Sequence, residues 1–485
     1  MSSLVGPKAH RPSAPGRSTL ACLLAAAAAS AVTVAGLAQP SLALAQGAGA
    51  PAAAAPYAPG EVLVRYAPSL QPGAAGTSGG AVARAASASA DPLGQTRLLH
   101  LPRGTSVAAA LRRLRGQRGV VWAVPNYRAH AAGTIVPNDV GRPGGGPGSW
   151  QELQWNFVGT FGVNAPEAWA NLAADRHPGG LGVTVAVLDT GIAYANRGPF
   201  RRSPDFSRFQ FALGYDFVSR NAFPNDRNGH GTFVASTIAE ATNNHFGLTG
   251  LAYGTRLMPV RVLDSEGEGE ASTIAEGVVY AVRHGAQVIN LSLEFSPGVT
   301  ASDIPGLIDA LRFAHRRGVL VVGAAGNEGH AAIAYPARAP YVISVGATTE
   351  HGCLAAYSND GSGLTLVAPG GGADANLPGD PNCHPEQPSG HDIFQVTFSG
   401  SSPRVFGIPT GYEGTSMATP HVSATAALII ASGVLGKHPT PAQLTARMQA
   451  TAKHIGGGGD ERLYGAGLLD AAAATAPRGP GAVTG

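Results

Sequence analysis

A chain of 485 residues with a formal net charge of +3, 13% charged residues and 67 glycines is a globular protein with many tight loops. That balance excludes a dedicated nucleic-acid binder, which carries a strong basic excess. The length predicts two or three domains.

Residues Met1 to Arg17 carry Lys8, Arg11 and Arg17 and no acid, and an Ala/Leu/Val run follows from Leu20 to Leu37. Ala43-Leu44-Ala45 then offers a small-x-small cleavage site, so residues 1–45 read as a secretory signal peptide. A membrane anchor is the competing reading, disfavoured by the alanine richness and the small-residue exit. Cys22 sits at the start of the apolar run and not after it, which argues against a lipoprotein signal. No later segment reaches the roughly 18 apolar residues of a spanning helix. The mature protein is therefore expected to be secreted, extracellular or periplasmic, with no membrane attachment. Once Cys22 leaves with the signal, Cys353 and Cys383 remain as an even pair in an oxidising compartment, and a disulfide between them is expected.

Residues 46–58 are Ala/Gly/Pro-rich and read as a linker. Glu61 to Tyr66 and Arg97 to Leu101 alternate as strands do, Thr105 or Ser106 caps a helix carrying Val107, Leu111 and Leu114 on one face, and Val120 to Val124 is another strand. The Gly/Ala/Ser-rich residues 71–91 place no element. A small domain of this size is marginal alone. Residues 133–150, with Gly144-Gly145-Gly146-Pro147, read as a linker.

From residue 151 strands alternate with helices. Val183 to Leu188 is a near-continuous apolar strand, as at the centre of a parallel sheet. Strands at Leu257–Leu263, Val288–Leu293, Val319–Gly323 and Val342–Val345 are interleaved with helices at Ile274–Arg283 and Leu307–Arg316. The fold class is α/β, a doubly wound parallel sheet flanked by helices, with active residues at the carboxyl ends of its strands.

Three polar residues stand at such ends. Asp189 terminates a strand, where an acid is a turn residue as readily as a carboxylate held by backbone N–H groups. His230, in Asn228-Gly229-His230-Gly231-Thr232, precedes a buried helix. Ser416, in Gly414-Thr415-Ser416-Met417-Ala418-Thr419-Pro420-His421, lies at or before a helix N-terminus, with Pro420 expected in its first turn; alone it reads equally as an N-cap. Together they supply what a serine nucleophile needs: an imidazole to take its proton and a carboxylate to orient the imidazole.

The blocks around Asp189, His230 and Ser416 resemble the three catalytic blocks of the subtilisin-like serine proteases, and the similarity runs from about Trp155 to Asp470. The resemblance implies that Asp189 orients His230, that His230 is general base and then general acid, and that Ser416 is the nucleophile. Asn327, in Ala325-Gly326-Asn327, corresponds to the oxyanion donor. Leu291-Ser292-Leu293 and Ala324-Ala325-Gly326 correspond to the segments that pair with the substrate backbone and wall the specificity pocket. Residues 60–130 resemble the family's inhibitory propeptide, which implies a propeptide over 46–132, followed by a peptidase domain over 151–475 and a flexible tail over 476–485. The implied partners are protein or peptide substrates and the chain's own propeptide; the mature enzyme is expected to be a monomer, with no cofactor in catalysis.

Several positions depart from the family pattern. Phe233 and Ser236 stand where histidine and glycine are common. Glu294 stands where glycine is common; facing the cleft it would favour basic substrates, and facing solvent it would only narrow one edge. Asp216 and Asp226 resemble a calcium-binding loop of some relatives, with few carboxylates nearby, so a structural calcium ion is left open there. Asp392 to Phe398 reads as a strand within a long surface excursion over residues 371–410. Asn290-Leu291-Ser292 matches a glycosylation motif but falls in a core strand, and is discounted. Two other classes stay in view: a catalytically silent protein of the same fold, and a dinucleotide enzyme, which the lack of a Gly-x-Gly-x-x-Gly turn after the first strand disfavours.

Overall fold

In the computed structural model of this chain, contacts divide Met1–His130 from Ala131–Gly485. The structure describes residues 57–67, 96–102, 105–127, 135–174, 177–329, 332–457 and 461–477. The expected signal peptide, the stretch 71–91 and the last residues of the tail lie outside them.

In the first unit β1 (Tyr57–Tyr66) is the middle strand of three. It pairs antiparallel with β2 (Thr96–His100) and β3 (Val120–Tyr127). Its alternation puts Val62 and Val64 on one face, where they are fully buried against Val107, Ala110 and Leu111 of α1 (Val107–Arg115). Ser106 caps that helix, its side chain accepting from the Ala109 N–H. β3 runs past Val124 through Pro125, which an edge strand tolerates because no ladder bond is required of its nitrogen.

The second unit opens with α2 (Trp155–Val158) and α3 (Ala165–Ala174), then alternates β4 (Thr184–Asp189), β5 (Tyr215–Asp216), α4 (His230–Ala239), β6 (Arg256–Arg261), α5 (Ala271–Arg283), β7 (Val288–Leu291), α6 (Pro305–Arg316), β8 (Leu320–Ala324), β9 (Val342–Thr348) and β10 (Leu366–Pro369). A two-stranded ribbon, β11 (Thr397–Phe398) and β12 (Phe406–Gly407), precedes α7 (Thr415–Ser432), α8 (Pro441–Thr451), α9 (Glu461–Tyr464) and α10 (Ala471–Thr475). The seven-stranded sheet has the order β10-β9-β8-β7-β4-β6-β5, with every pair parallel.

β4 shows why its run is continuously apolar. Val185 and Val187 face a core shared with α4 and α7, while Ala186 and Leu188 face a core shared with α5 and α6. A strand covered on both faces has no polar side, and each buried Val or Leu contributes about 1.5–3 kcal/mol. After β4 the chain builds β5 and β6 on one side and then crosses to β7 on the other, so the carboxyl ends of β4 and β7 frame the crevice where a doubly wound sheet places its ligands.

Three sequence expectations are corrected. Asp392 to Phe398 is not one strand: only Thr397–Phe398 pairs, and the preceding residues hang their backbone on other loops. Ile393 donates to the Tyr412 carbonyl, the Asp392 carbonyl accepts from Trp155 Nε1, and Val396 donates to Glu240. β7 ends at Leu291, so Ser292, Leu293 and Glu294 leave the sheet. Pro420 lies inside α7 and not in its first turn.

Candidate active site

Asp189 ends β4 with its carboxylate fully buried, and Oδ1 accepts from the Thr190 N–H at 2.7 Å and meets His230 Nδ1 at 2.8 Å. His230 is the first residue of α4 and is half-buried. The approach depends on Gly231, where an added Cβ would lie 2.2 Å from the Gly191 carbonyl oxygen and 3.0 Å from Asp189 Oδ1. Burial pushes the His230 pKa down, but the Asp189 carboxylate beside it and Asp226 nearby carry it above the ordinary imidazole value.

Asp226 organises the start of α4. Its Oδ1 accepts from Thr190 Oγ1 (2.9 Å), the Asn228 N–H (2.9 Å) and the Gly229 N–H (3.0 Å), and its Oδ2 from the Thr232 N–H (2.9 Å) and Oγ1 (2.6 Å). These donors satisfy N–H groups that a helix start leaves unpaired. Asp216 is engaged by Arg261 Nη1 at 3.1 Å in a buried ion pair and by the Ser219 N–H. Both carboxylates are committed to protein donors, and among the described residues no group of three His, Cys, Asp or Glu is placed to hold a metal, so a calcium ion at these two acids is not shown. Nothing in their local sequence separates the two uses; Arg261, on β6, is 45 residues away.

Ser416 is the second residue of α7, whose N-cap is Gly414, so the N-cap reading of the serine does not hold. Its Oγ donates to the Ser292 carbonyl at 3.3 Å, and Ser292 Oγ donates to the Ser416 carbonyl at 2.8 Å. The second bond has a cause in the sequence. Pro420 has no N–H, so the Ser416 carbonyl lacks its partner four residues on, and the Ser292 hydroxyl takes that place. Ser292 is tied in turn through Asn290 to Ser423 on α7. Asn290 and Ser292 are buried, in keeping with discounting the glycosylation motif. His230 and Ser416 line one cleft of about 370 Å³ with Ser292, Leu293 and Glu294. Among the described residues no hydrogen bond joins His230 to Ser416; such contacts commonly tighten only when substrate is bound.

Asn327 follows β8 and is held by Thr415, whose N–H and Oγ1 both donate to its Oδ1, at 2.8 and 3.0 Å. Thr415 thereby aims the amide nitrogen away from α7. It is a positioning residue that sequence reasoning passed over as turn filler, although it directly precedes Ser416. The Asn327 Nδ2 and N–H groups donate to Glu294, to Oε1 at 3.0 Å and Oε2 at 3.1 Å. Glu294 is thus turned inward and half-buried; burial, and next the nearby Glu328 carboxylate, raise its pKa. Leu291, Leu293, Ala324, Ala325 and Gly326 are buried along the ends of β7 and β8, which run side by side. His421, one turn beyond Ser416, is buried with Nδ1 on the Met417 carbonyl and Nε2 on Asn156; burial lowers its pKa to about 4, so it is neutral. Cys353 and Cys383 are joined as a disulfide.

The departures Phe233 and Ser236 are fully buried: Phe233 stacks on Tyr412 with centroids 4.1 Å apart, and Ser236 donates to the Val396 carbonyl. Both secure the 371–410 excursion and the segment leading into α7.

The subtilase family profile matches residues 180–467, and the fervidolysin N-terminal prodomain profile matches residues 44–126. Among curated proteins, Subtilisin BL and Subtilisin Savinase of Lederbergia lenta are each 38% identical over 327 residues, covering 67% of this chain and 99% of theirs. A solved structure of proteases from Pseudoalteromonas arctica aligns with a TM-score of 0.56 at 30% identity, covering 70% of this chain and 99% of that one.

Proposed function

The chain belongs to the subtilase family, a serine endopeptidase made as a zymogen with an N-terminal prodomain, and from that premise we propose that Asp189, His230 and Ser416 are its catalytic triad and Asn327 its oxyanion donor. The observation that carries the assignment is the 2.8 Å contact between His230 Nδ1 and buried Asp189, in the same cleft as Ser416 at the start of α7.

In this reading Ser416 Oγ leaves the Ser292 carbonyl and attacks the scissile carbonyl while His230 Nε2 takes its proton. Asp189 holds the imidazole in the required tautomer and stabilises the imidazolium. The tetrahedral oxyanion receives the Asn327 Nδ2–H and the Ser416 N–H, the latter unpaired at the helix start. His230 returns the proton to the leaving amine, and the acyl group stays on Oγ. Water then attacks the acyl carbonyl, giving its proton to His230, and collapse releases the acid and restores Ser416. In subtilisin itself the loss of such an asparagine donor costs on the order of 10²–10³ in turnover. The chemistry runs on side chains and backbone, without a cofactor.

Residues 46–132 are proposed to act as folding aid and inhibitor, removed by cleavage between Tyr127 and Pro137, and the mature enzyme to be a secreted monomer. No described helix is long and apolar enough to cross a membrane. Labelling of the purified protein by a fluorophosphonate tests the triad: wild type reacts at Ser416 and Ser416→Ala does not, while an unreactive wild type would identify a silent protein of this fold.

A further inference from the structure

Glu294 places a carboxylate on the amide that the reaction needs. Its two oxygens take both the Nδ2–H and the backbone N–H of Asn327, and Asn327 cannot turn away because Thr415 pins its other end with two hydrogen bonds. An acceptor seated on one of the two Nδ2 hydrogens fixes where the amide points, and its negative charge opposes charge developing on an oxyanion at the other. Among the described residues no cation pairs with Glu294, and a second acid, Glu328, lies near it, held by Asn359 Nδ2. The two carboxylates meet over Gly326, where an added Cβ would lie 2.4 Å from Glu294 Oε2 and 3.0 Å from Glu328 Oε2; φ there is +111°, so glycine is required on both counts. The cleft beyond has the same sign. Glu266 and Glu268 line it with Glu294, and no lysine or arginine does among the described residues.

We infer that Glu294 is a specificity-determining latch that rests on the Asn327 donor and is drawn off it by a lysine or arginine side chain immediately before the cleaved bond. The inference depends on the roles proposed above for Ser416 and Asn327. A cationic side chain entering between the ends of β7 and β8 meets Glu294 and Glu328, pairs with them, and draws the opposing charge away from Asn327. A neutral side chain leaves the carboxylate in place. Selectivity then shows in kcat as well as KM, because the repulsion relieved is one felt by the oxyanion of the transition state and not by the bound substrate.

The test compares matched peptides with Lys, Arg or Leu before the scissile bond. Each is measured with wild type, Glu294→Gln and Glu294→Gly, at low and high salt, with active sites counted by fluorophosphonate burst so that poorly folded protein is excluded. Wild type should favour the basic peptides by about two- to fivefold in kcat/KM, the range of a half-exposed ion pair, and the preference should shrink with salt. Glu294→Gly should raise kcat on the Leu peptide and abolish the preference; Glu294→Gln, which keeps the bulk and an acceptor, should abolish the preference with less gain on Leu. A ratio unchanged across the three proteins, or an equal fall on every peptide in Glu294→Gly, overturns the latch, the second result making Glu294 a support for Asn327. A wild type that does not label overturns the Ser416 assignment and the latch together, whereas full labelling with an unchanged ratio overturns the latch alone.

Discussion

His230 is held between two opposing influences, burial that favours the neutral ring and the Asp189 and Asp226 carboxylates that favour the cation. The carboxylates win, so its pKa lies above the ordinary imidazole value. A general base works only when neutral, so with His230 in the proposed role activity must rise with pH as it loses its proton. The acid limb of kcat/KM should therefore have its midpoint above about 6.5, the ordinary imidazole value, and Asp226→Asn should move that midpoint to lower pH by removing one of the two charges. A pH–rate profile of both proteins on a neutral peptide checks this; a mutant midpoint that stays put or rises would remove Asp226 from the account. Ser292 shows how a single side chain enters the site for a reason located elsewhere. Its hydroxyl answers the missing N–H of Pro420, and in doing so ties the end of β7 to the nucleophile's own carbonyl.

At the scale of elements, α4 and α7 deliver the two groups proposed to react, and each start is held by residues outside its own helix. Asp226 accepts five hydrogen bonds around the α4 start, so Asp226→Asn, which turns one oxygen into a donor facing Thr232, should cost about 1.5–3 kcal/mol. The measurement is the thermal midpoint in a Ser416→Ala background, where self-digestion cannot distort the melt; an unchanged midpoint would show that water replaces the lost acceptor. The same elements show what a sequence discloses. Val183 to Leu188 was readable because a strand buried on both faces has one composition only, and the sharp ends at Asp189 and His230 followed from it. Residues 392–396 misled because Ile393, Phe394, Gln395 and Val396 are all buried, which resembles a core strand, yet their backbone partners are loops and side chains far away in sequence. At Asp216 and Asp226 the sequence left the use of the carboxylate open. A carboxylate looks the same in sequence whether Arg261, a helix start or an ion receives it. The direction of Glu294 was open because it depends on Thr415 having already aimed Asn327.

Across the whole molecule the disulfide and the two-unit division set the predictions. Cys353 and Cys383 close a loop with a sequence separation of 30. In the chain-entropy picture such a link adds about 3–4 kcal/mol, often less in practice. Thiol titration of the denatured, unreduced mature protein should find no free thiol and, after reduction, two; two without reduction would refute the bridge. Maturation follows from the proposed triad. Ser416→Ala should retain residues 46 to about 132 when expressed in a protease-free host, and wild type should lose them. Equal processing of the two would assign the cut to another enzyme.

That both units lie on one chain has a quantitative consequence. With residues 46–132 in the proposed inhibitory role, each enzyme is synthesised with a single inhibitor, so the ratio is one to one in every cell and at every level of expression. While the link holds, the effective concentration of the inhibitor is on the order of millimolar, whatever the amount of protein present. Cutting between Tyr127 and Pro137 changes that equilibrium from first order to second. From then on the free fraction depends on how far the pair is diluted. A crowded compartment keeps the cut pair associated and a large volume separates it, so the switch reads volume as well as cleavage.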